Sequence, residues 1–286
     1  MPCFHPIEVS RRGYADLTVQ VACGRCIGCR LDRSRDWATR CVHEAQLHED
    51  SCFATLTYDE EHLPPGGTLV PRHFQLFMKR LRKARNSKLR FFHCGEYGET
   101  SARPHYHALL FGVSFPDKRE CSRGDFPLYS SKELDKLWGH GTCTIGALTS
   151  ESAAYCARYV MKKVTGELAP DHYRYVDPST GEIYELHPEY ATMSRRPGLG
   201  AAWLHRYMED VYHGDFCALK NGSQTPVPVY YDKLLARTDP DRLERIKKLR
   251  YARAISPKQR ANSTPARLAV REEVKKSAIS QLRRKL

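Results

Sequence analysis

No apolar run in this chain of 286 residues approaches the roughly 18 that a helix needs to cross a bilayer, and the mean hydropathy is −0.59. A membrane partner is not expected. The first residues, Met1-Pro-Cys-Phe-His-Pro6, have neither a basic start nor an apolar stretch behind it, so no secretory signal is expected there. The glycine spacing of a nucleoside-triphosphate loop is missing too, which argues against intrinsic ATPase activity. Acidic residues are in deficit: 33 Asp and Glu stand against 46 Lys and Arg, a formal net charge of +13. With a pI near 9.3, that is the footprint of a nucleic-acid partner. The 11 cysteines are an odd number in a chain without an export signal, so a disulfide framework is not expected.

What is present centres on Gly95 to Val113. Pro104 can open a strand but not sit inside one, and the run behind it is apolar, so His105 to Val113 reads as a buried strand. Alternation then turns His105 and His107 to the same face, where two imidazoles can hold a divalent metal. Glu96, at the end of the apolar run Leu89 to Cys94, is the candidate oxygen ligand from the neighbouring strand, with Glu99 as its rival. A His-x-His pair alone is a weak motif. A second constellation strengthens it. Behind a Thr149-Ser150 cap, nothing from Ser152 to Val164 breaks a helix, so Tyr155 and Tyr159 fall one turn apart on one face. Arg158, Lys162 and Lys163 surround them. A metal site followed by phenols among cations points to phosphoryl transfer with a tyrosine nucleophile.

The cysteines gather at Cys23, Cys26 and Cys29, two overlapping Cys-x-x-Cys units with glycine inside them. Such a knuckle suits tetrahedral zinc better than an iron–sulfur cluster, with Cys3, His5 or Cys41 as the fourth ligand. The bland alternative is three reduced thiols at a strand-to-helix turn.

Around these motifs the chain reads as a succession of short elements. Helices are expected over Arg30 to His48, from Pro71 (Phe74, Phe77, Met78 and Leu81 at helical spacing), over Ser131 to Trp138 and near Trp203 to Tyr212. Strands are expected over Ser51 to Tyr58, Leu89 to Glu96, His105 to Val113 and Gly139 to Leu148. Ser114 to Ser130 reads as a loop or small insertion, and Tyr173 to Tyr184 as a hairpin. The basic outer face of the second helix, Lys79, Arg80, Arg82, Lys83 and Arg85, reads first as a solvated face. The loop Ser194-Arg-Arg-Pro-Gly-Leu-Gly200 offers Arg195, Arg196 and backbone amides to a phosphate. From Pro240 onward, fifteen Lys or Arg face four Asp or Glu, which places eleven of the thirteen excess positive charges in this tail. It reads as two helices, near Asp241 to Ala254 and Pro265 to Leu286, that clamp duplex DNA or stay partly disordered.

With these motifs in view, the chain resembles the HUH endonucleases, the rolling-circle replication initiators, and within them the gokushovirus-like branch of small single-stranded DNA bacteriophages. The resemblance covers about the first two hundred residues. It rests on Phe53-Ala-Thr-Leu-Thr-Tyr58, Arg103-Pro-His-Tyr-His107 and Tyr155 to Lys162 in that order, with Cys23 to Arg30 and Met193 to Gly200 also similar to stretches of that branch. Where similar initiators often carry Lys between the tyrosines, this chain has Arg158, which keeps the charge but cannot give up a proton.

The resemblance implies an α+β fold, an antiparallel sheet with helices on one face of the ferredoxin-like type, with a Cys-rich N-terminal and a basic helical C-terminal extension. It implies the divisions 1–50 (Cys-rich segment and helix), 51–165 (nuclease core), 166–239 (hairpin, basic loop and helix) and 240–286 (basic tail). It implies Mg2+ or Mn2+ on His105, His107 and Glu96, catalysis by Tyr155 and Tyr159 with Arg158 and Lys162, and DNA contacts at Lys163, Arg195 and Arg196. A structural Zn2+ on Cys3, Cys23, Cys26 and Cys29 stands beside it. The expected reaction is nicking of the viral strand at an origin, giving a 5′-phosphotyrosine and a free 3′-hydroxyl, with later rejoining. Expected partners are single-stranded and supercoiled origin DNA with host helicase and polymerase, in the cytoplasm of a bacterial host. The alternatives are a zinc-stabilised nucleic-acid-binding protein without catalysis, or a plasmid initiator, relaxase or transposase with the same chemistry.

Overall fold

A computed structural model describes residues 3–11, 14–99, 101–124, 126–158, 166–167, 169–220 and 222–281. The chain divides into two compact units, one of residues 37–206 and one of residues 1–36 with 207–286. In chain order the first elements are β1 (Ile7–Arg11), β2 (Tyr14–Val21), α1 (Ile27–Ala45), β3 (Ser51–Thr57), α2 (Pro71–Arg85), β4 (Arg90–Tyr97) and β5 (Pro104–Phe111). Next come β6 (Arg119–Ser122), β7 (Leu128–Ser130), α3 (Lys132–Trp138), β8 (Cys143–Ala147), α4 (Ser150–Arg158), α5 (Ala169–His172), β9 (Arg174–Val176), β10 (Ile183–Glu185) and β11 (Tyr190–Met193). The last are α6 (Ala201–Gly214), β12 (Cys217–Ala218), β13 (Gln224–Thr225), α7 (Val229–Thr238), α8 (Pro240–Ala254), α9 (Pro257–Ala261) and α10 (Pro265–Ser280).

The 37–206 unit is built on a seven-stranded sheet in the order β11-β4-β5-β3-β8-β7-β6, antiparallel throughout. Strand alternation sorts its side chains between two layers. Cys52, Ala54 and Leu56 of β3 with Tyr106, Ala108 and Leu110 of β5 meet Phe74, Phe77, Met78 and Leu81 of α2 and Leu134 and Trp138 of α3. Burial of each such aromatic is worth about 1.5–3 kcal/mol. The opposite parity, Phe53, Phe92, Cys94, Leu109 and Phe111, meets Ala38 and Cys41 of α1, Ala153, Cys156 and Ala157 of α4, and Leu199. Cys41 is thus a core residue at 0% exposure, which its helical spacing explains.

Local chemistry fixes the ends of these elements. Pro71 opens α2, and Asn86, at φ 46°, closes it in the left-handed region that short amides tolerate. The Ser131 hydroxyl accepts from the Leu134 amide to cap α3. The basic face of α2 is partly committed within the unit: Arg80 donates to the Leu137 and Trp138 carbonyls, Arg82 to the Leu89 carbonyl, and Arg85 pairs with Glu133.

Two features depart from the sequence reading. The segment read as a loop or small insertion, Ser114 to Ser130, forms the β6–β7 hairpin, whose β7 extends the sheet through Tyr129 opposite Ile145. The edge strand β11 was not expected either. Gly95 admits it: a Cβ there would lie 2.9 Å from the Tyr190 ring that crosses β4, so only glycine lets that ring lie down.

In the other unit, β1 and β2 form a hairpin, as do β12 and β13, and α7 to α10 follow. Arg250 of α8 binds both Asp215 and Asp232, and Asp239 caps α8 through the Arg242 amide. Tyr231, Leu235, Leu243 and Ile246 are its buried side chains in α7 and α8. No helix among the described residues is long and apolar enough to cross a membrane.

Candidate metal centre and active site

The register of three strands assembles the site. Glu96 of β4 lies opposite His105 of β5, and Cys94 opposite His107, so all four side chains share one face. On the other flank Thr55 of β3 lies opposite His107 and Thr57 opposite His105. One oxygen, Glu96 Oε1, stands 2.9 Å from His105 Nε2 and 2.9 Å from His107 Nε2. The far nitrogens are held as well: His105 Nδ1 donates to the Arg103 carbonyl at 3.1 Å, and His107 Nδ1 meets the Thr55 hydroxyl at 2.9 Å. Two imidazoles oriented through Nδ1, with Nε2 aimed at one carboxylate oxygen, are a donor set that could hold a metal ion.

Burial sharpens the electrostatics. Glu96 is 1% exposed and His107 5%. Burial alone would raise the Glu96 pKa, but the hydrogen bonds and charge of His105 and His107 outweigh it and hold the carboxyl down to about 2. Glu96 is therefore a carboxylate at neutral pH. Glu99, its rival in the sequence reading, is exposed and outside this group of donor atoms.

The tyrosine helix begins where the sequence places it. The Thr149 hydroxyl accepts from the Ser152 amide at 3.2 Å and the Ser152 hydroxyl from the Thr149 amide at 2.8 Å, a reciprocal cap on α4. The buried Cys156 seats the helix, with its sulfur 3.6 Å from that of Cys94. One residue earlier, Tyr155 presents its ring edge-on to His107, with centroids 5.3 Å apart at 81°, and stands 6.2 Å from the Phe53 ring. The Arg158 guanidinium lies 5.8 Å from the Tyr155 ring centre. Tyr159, Lys162 and Lys163 lie outside the described residues.

Arg195 and Arg196 are exposed, on a loop whose backbone is largely engaged. The Gly200 amide donates to the buried Glu44 carboxylate at 2.8 Å, while Arg40 and Arg90 donate to the Leu199 and Pro197 carbonyls. The Gly200 amide is thus directed to Glu44 rather than outward. Sequence reasoning missed Thr55. Its signal was present: Thr55 and Thr57 alternate with the apolar Ala54 and Leu56, which turns the hydroxyls toward the histidine face.

The unit of residues 1–36 and 207–286 holds a second group. The sulfurs of Cys3, Cys23, Cys26 and Cys29 all lie within 4.8 Å of one another. Backbone amides point at them: Phe4 N–H donates to Cys26 Sγ at 3.3 Å, Cys23 N–H to Cys3 Sγ at 3.2 Å and Cys26 N–H to Cys23 Sγ at 3.3 Å. Burial pushes the Cys26 thiol up, but the Cys29 and Phe4 amides outweigh it and bring its pKa to about 6, and the Cys26 amide lowers Cys23, whereas burial raises Cys3 and Cys29. Amide donors that favour thiolate, with Gly24 at φ 73° turning the chain between two of the cysteines, suit a thiolate-bound metal. Of the three fourth ligands that the sequence left open, the group takes Cys3. His5 turns instead to Glu272.

A family model described as replication-associated protein ORF2/G2P matches residues 51–164. The replication-associated protein VP4 of Bdellovibrio phage phiMH2K is 32% identical over 264 residues, which cover 85% of this chain and 79% of that protein. The replication-associated protein ORF2 of Spiroplasma virus 4 is 32% identical over 231 residues, 76% of this chain and 68% of that one. The replication-associated protein ORF4 of Chlamydia phage 1 is 33% identical over 153 residues, 49% and 38% of the two chains. No solved structure matches. With a family match across six of the sheet's seven strands and two relatives aligned over more than two thirds of their own length, the chain belongs to the ORF2/G2P family of phage replication-associated proteins.

Proposed function

We propose that the protein is a rolling-circle replication initiator, a metal-dependent endonuclease and strand transferase that nicks the viral strand at its origin through a tyrosine. The observation that carries this reading is the convergence of Glu96, His105 and His107 on one point, with the Tyr155 ring packed against His107. Glu96, His105 and His107 would hold Mg2+ or Mn2+, which when bound withdraws charge from a scissile phosphate oxygen. Cys3, Cys23, Cys26 and Cys29 would hold a structural Zn2+.

The chain's own residues set up the displacement. One phenol, Tyr155 or Tyr159, loses its proton and its oxygen attacks phosphorus. The tyrosine O–P bond forms, the bond from phosphorus to the 3′ oxygen breaks, and that oxygen takes a proton to become the 3′-hydroxyl. A free phenol has a pKa near 10, so Arg158, Lys162 and Lys163 serve to favour the phenolate and the charge that develops in the transition state. Because one phosphoester replaces another, rejoining needs no ATP. A second tyrosine then has a use: it attacks the regenerated origin while the first still holds the 5′ end. Access to the scissile bond requires single-stranded or extruded DNA. Arg195, Arg196 and Lys163 would contact its phosphates, and the host supplies helicase and polymerase in its cytoplasm.

The test replaces both tyrosines, Tyr155→Phe with Tyr159→Phe, and incubates the protein with a labelled origin oligonucleotide and Mn2+. Covalent adducts should vanish. Adducts that persist in the double variant would reject a tyrosine nucleophile at this site.

A further inference from the structure

We propose that the tetrathiolate site is a zinc-dependent clamp on the basic C-terminal helix α10. The proposal rests on the zinc reading of that site given above. A single short segment links the two. Cys3 joins the thiol group from a position 20 residues before Cys23, and the next amide, Phe4 N–H, donates to Cys26 Sγ while the Phe4 ring is buried. One residue on, His5 Nε2 stands 2.7 Å from Glu272 Oε2 of α10. His5, Ile7, Cys23, Arg25, Cys26 and Glu272 line one cavity of about 510 Å³, so helix and knuckle face each other across it.

The helix has little else to hold it in place. Among the described residues, the buried side chains of α10 are Leu268 and Glu272, and Glu272 is the one that bonds a segment distant in sequence. The His5 side chain is 65% exposed, and a hydrogen bond that open to water is too weak to order a helix by itself. What makes the pair effective is that His5 is two residues from a metal ligand. Cys3, Cys23, Cys26 and Cys29 would hold zinc as thiolates, those still protonated releasing their protons to solvent, and a bound ion would fix residues 3–5. Without it, four sulfurs at mutual distances such as 3.5, 3.6 and 3.8 Å have weak S–H contacts and a few N–H···S bonds, such as those of the Phe4 and Cys23 amides, to keep them together. Residues 3–5 then swing free and take the partner of Glu272 with them. Arg267, Arg271, Lys275 and Lys276 ride on α10, so the clamp determines where those four cations stand.

The experiment combines metal analysis with limited trypsin digestion of the full-length chain, reading cleavage after Arg267, Arg271, Lys275 and Lys276. The purified chain should carry about one zinc that survives dialysis against Mg2+. Release of that zinc with a mercurial and chelator should speed cleavage in α10. Glu272→Gln should keep the zinc yet speed the same cleavages about two- to fivefold, and Cys3→Ser should lose the zinc and show the larger effect. If the chain holds zinc but α10 is cut at one rate with the metal, without it and in Glu272→Gln, the clamp is overturned while the zinc reading stands. If the chain holds no zinc, both are overturned.

Discussion

Acid should unfold the 37–206 unit well above the pH at which its carboxylates titrate, because two histidines are buried in it uncharged. His93 is 1% exposed, lies flat on Phe74 at 3.4 Å and meets the Thr192 hydroxyl through Nδ1 at 2.7 Å. His43 is 2% exposed and stacks on Trp203 at 3.5 Å. Burial pushes each pKa from 6.5 down to about 3. The unfolded chain therefore binds protons that the folded chain refuses. Stability is complete above pH 6.5 and falls as the pH drops toward 3, by about 1.4 kcal/mol per pH unit for each histidine. At pH 5 the pair costs about 4 kcal/mol, close to the whole stability of a modest domain. Burial also holds His73 and His140 down, and they act in the same direction. All three tryptophans, Trp37, Trp138 and Trp203, belong to this unit, so their fluorescence reports it alone. Urea titrations in EDTA from pH 7.5 to 5 should show the loss, and His93→Gln should reduce the slope by about 1.4 kcal/mol per pH unit. A midpoint that stays level over that range, or an unchanged slope in His93→Gln, would refute the assignment of His93 as a buried neutral base.

Two further outcomes follow from the packing. Thr55→Val removes the hydroxyl that orients His107 and should weaken Mn2+ binding about 10- to 100-fold by calorimetry, whereas Thr57→Val, whose hydroxyl donates to the Thr142 carbonyl, should leave it nearly unchanged. Trp138→Ala empties the fully buried position between α2 and the sheet and should lower stability by about 3–5 kcal/mol, read from the denaturant midpoint.

Much of the site was readable because it is governed by short-range rules. Strand alternation alone puts His105 and His107 on one face, and Pro104 marks where the strand begins. The Thr149-Ser150 cap announces α4, though Thr149 pairs with Ser152 there, and the spacing of Phe74, Phe77, Met78 and Leu81 is the buried stripe of α2. What stayed hidden depends on pairing between distant segments. The pairing of Tyr190 with Gly95 joins residues 95 positions apart, and four-residue β11 carries no periodic signal strong enough to reveal it. β6 is polar and exposed and β7 is only three residues long, so neither carries the apolar alternation by which a strand is recognised. Glu96 could be named from sequence, but its preference over Glu99 needed the β4–β5 register. Among the cysteines, spacing found Cys23, Cys26 and Cys29, and only the path of residues 3–5 decided that Cys3 completes them.

The central claim is that Glu96, His105 and His107 hold a divalent ion beside a tyrosine that becomes linked to DNA. Mass spectrometry of the two tryptic peptides that carry Tyr155 and Tyr159, which cleavage after Arg158 separates, would read this after incubation with single-stranded origin DNA and Mn2+. A nucleotide adduct should appear on one of those tyrosines and be absent in EDTA and absent in Glu96→Ala. An adduct of the same yield in EDTA, or an adduct mapped to any other residue, would contradict it.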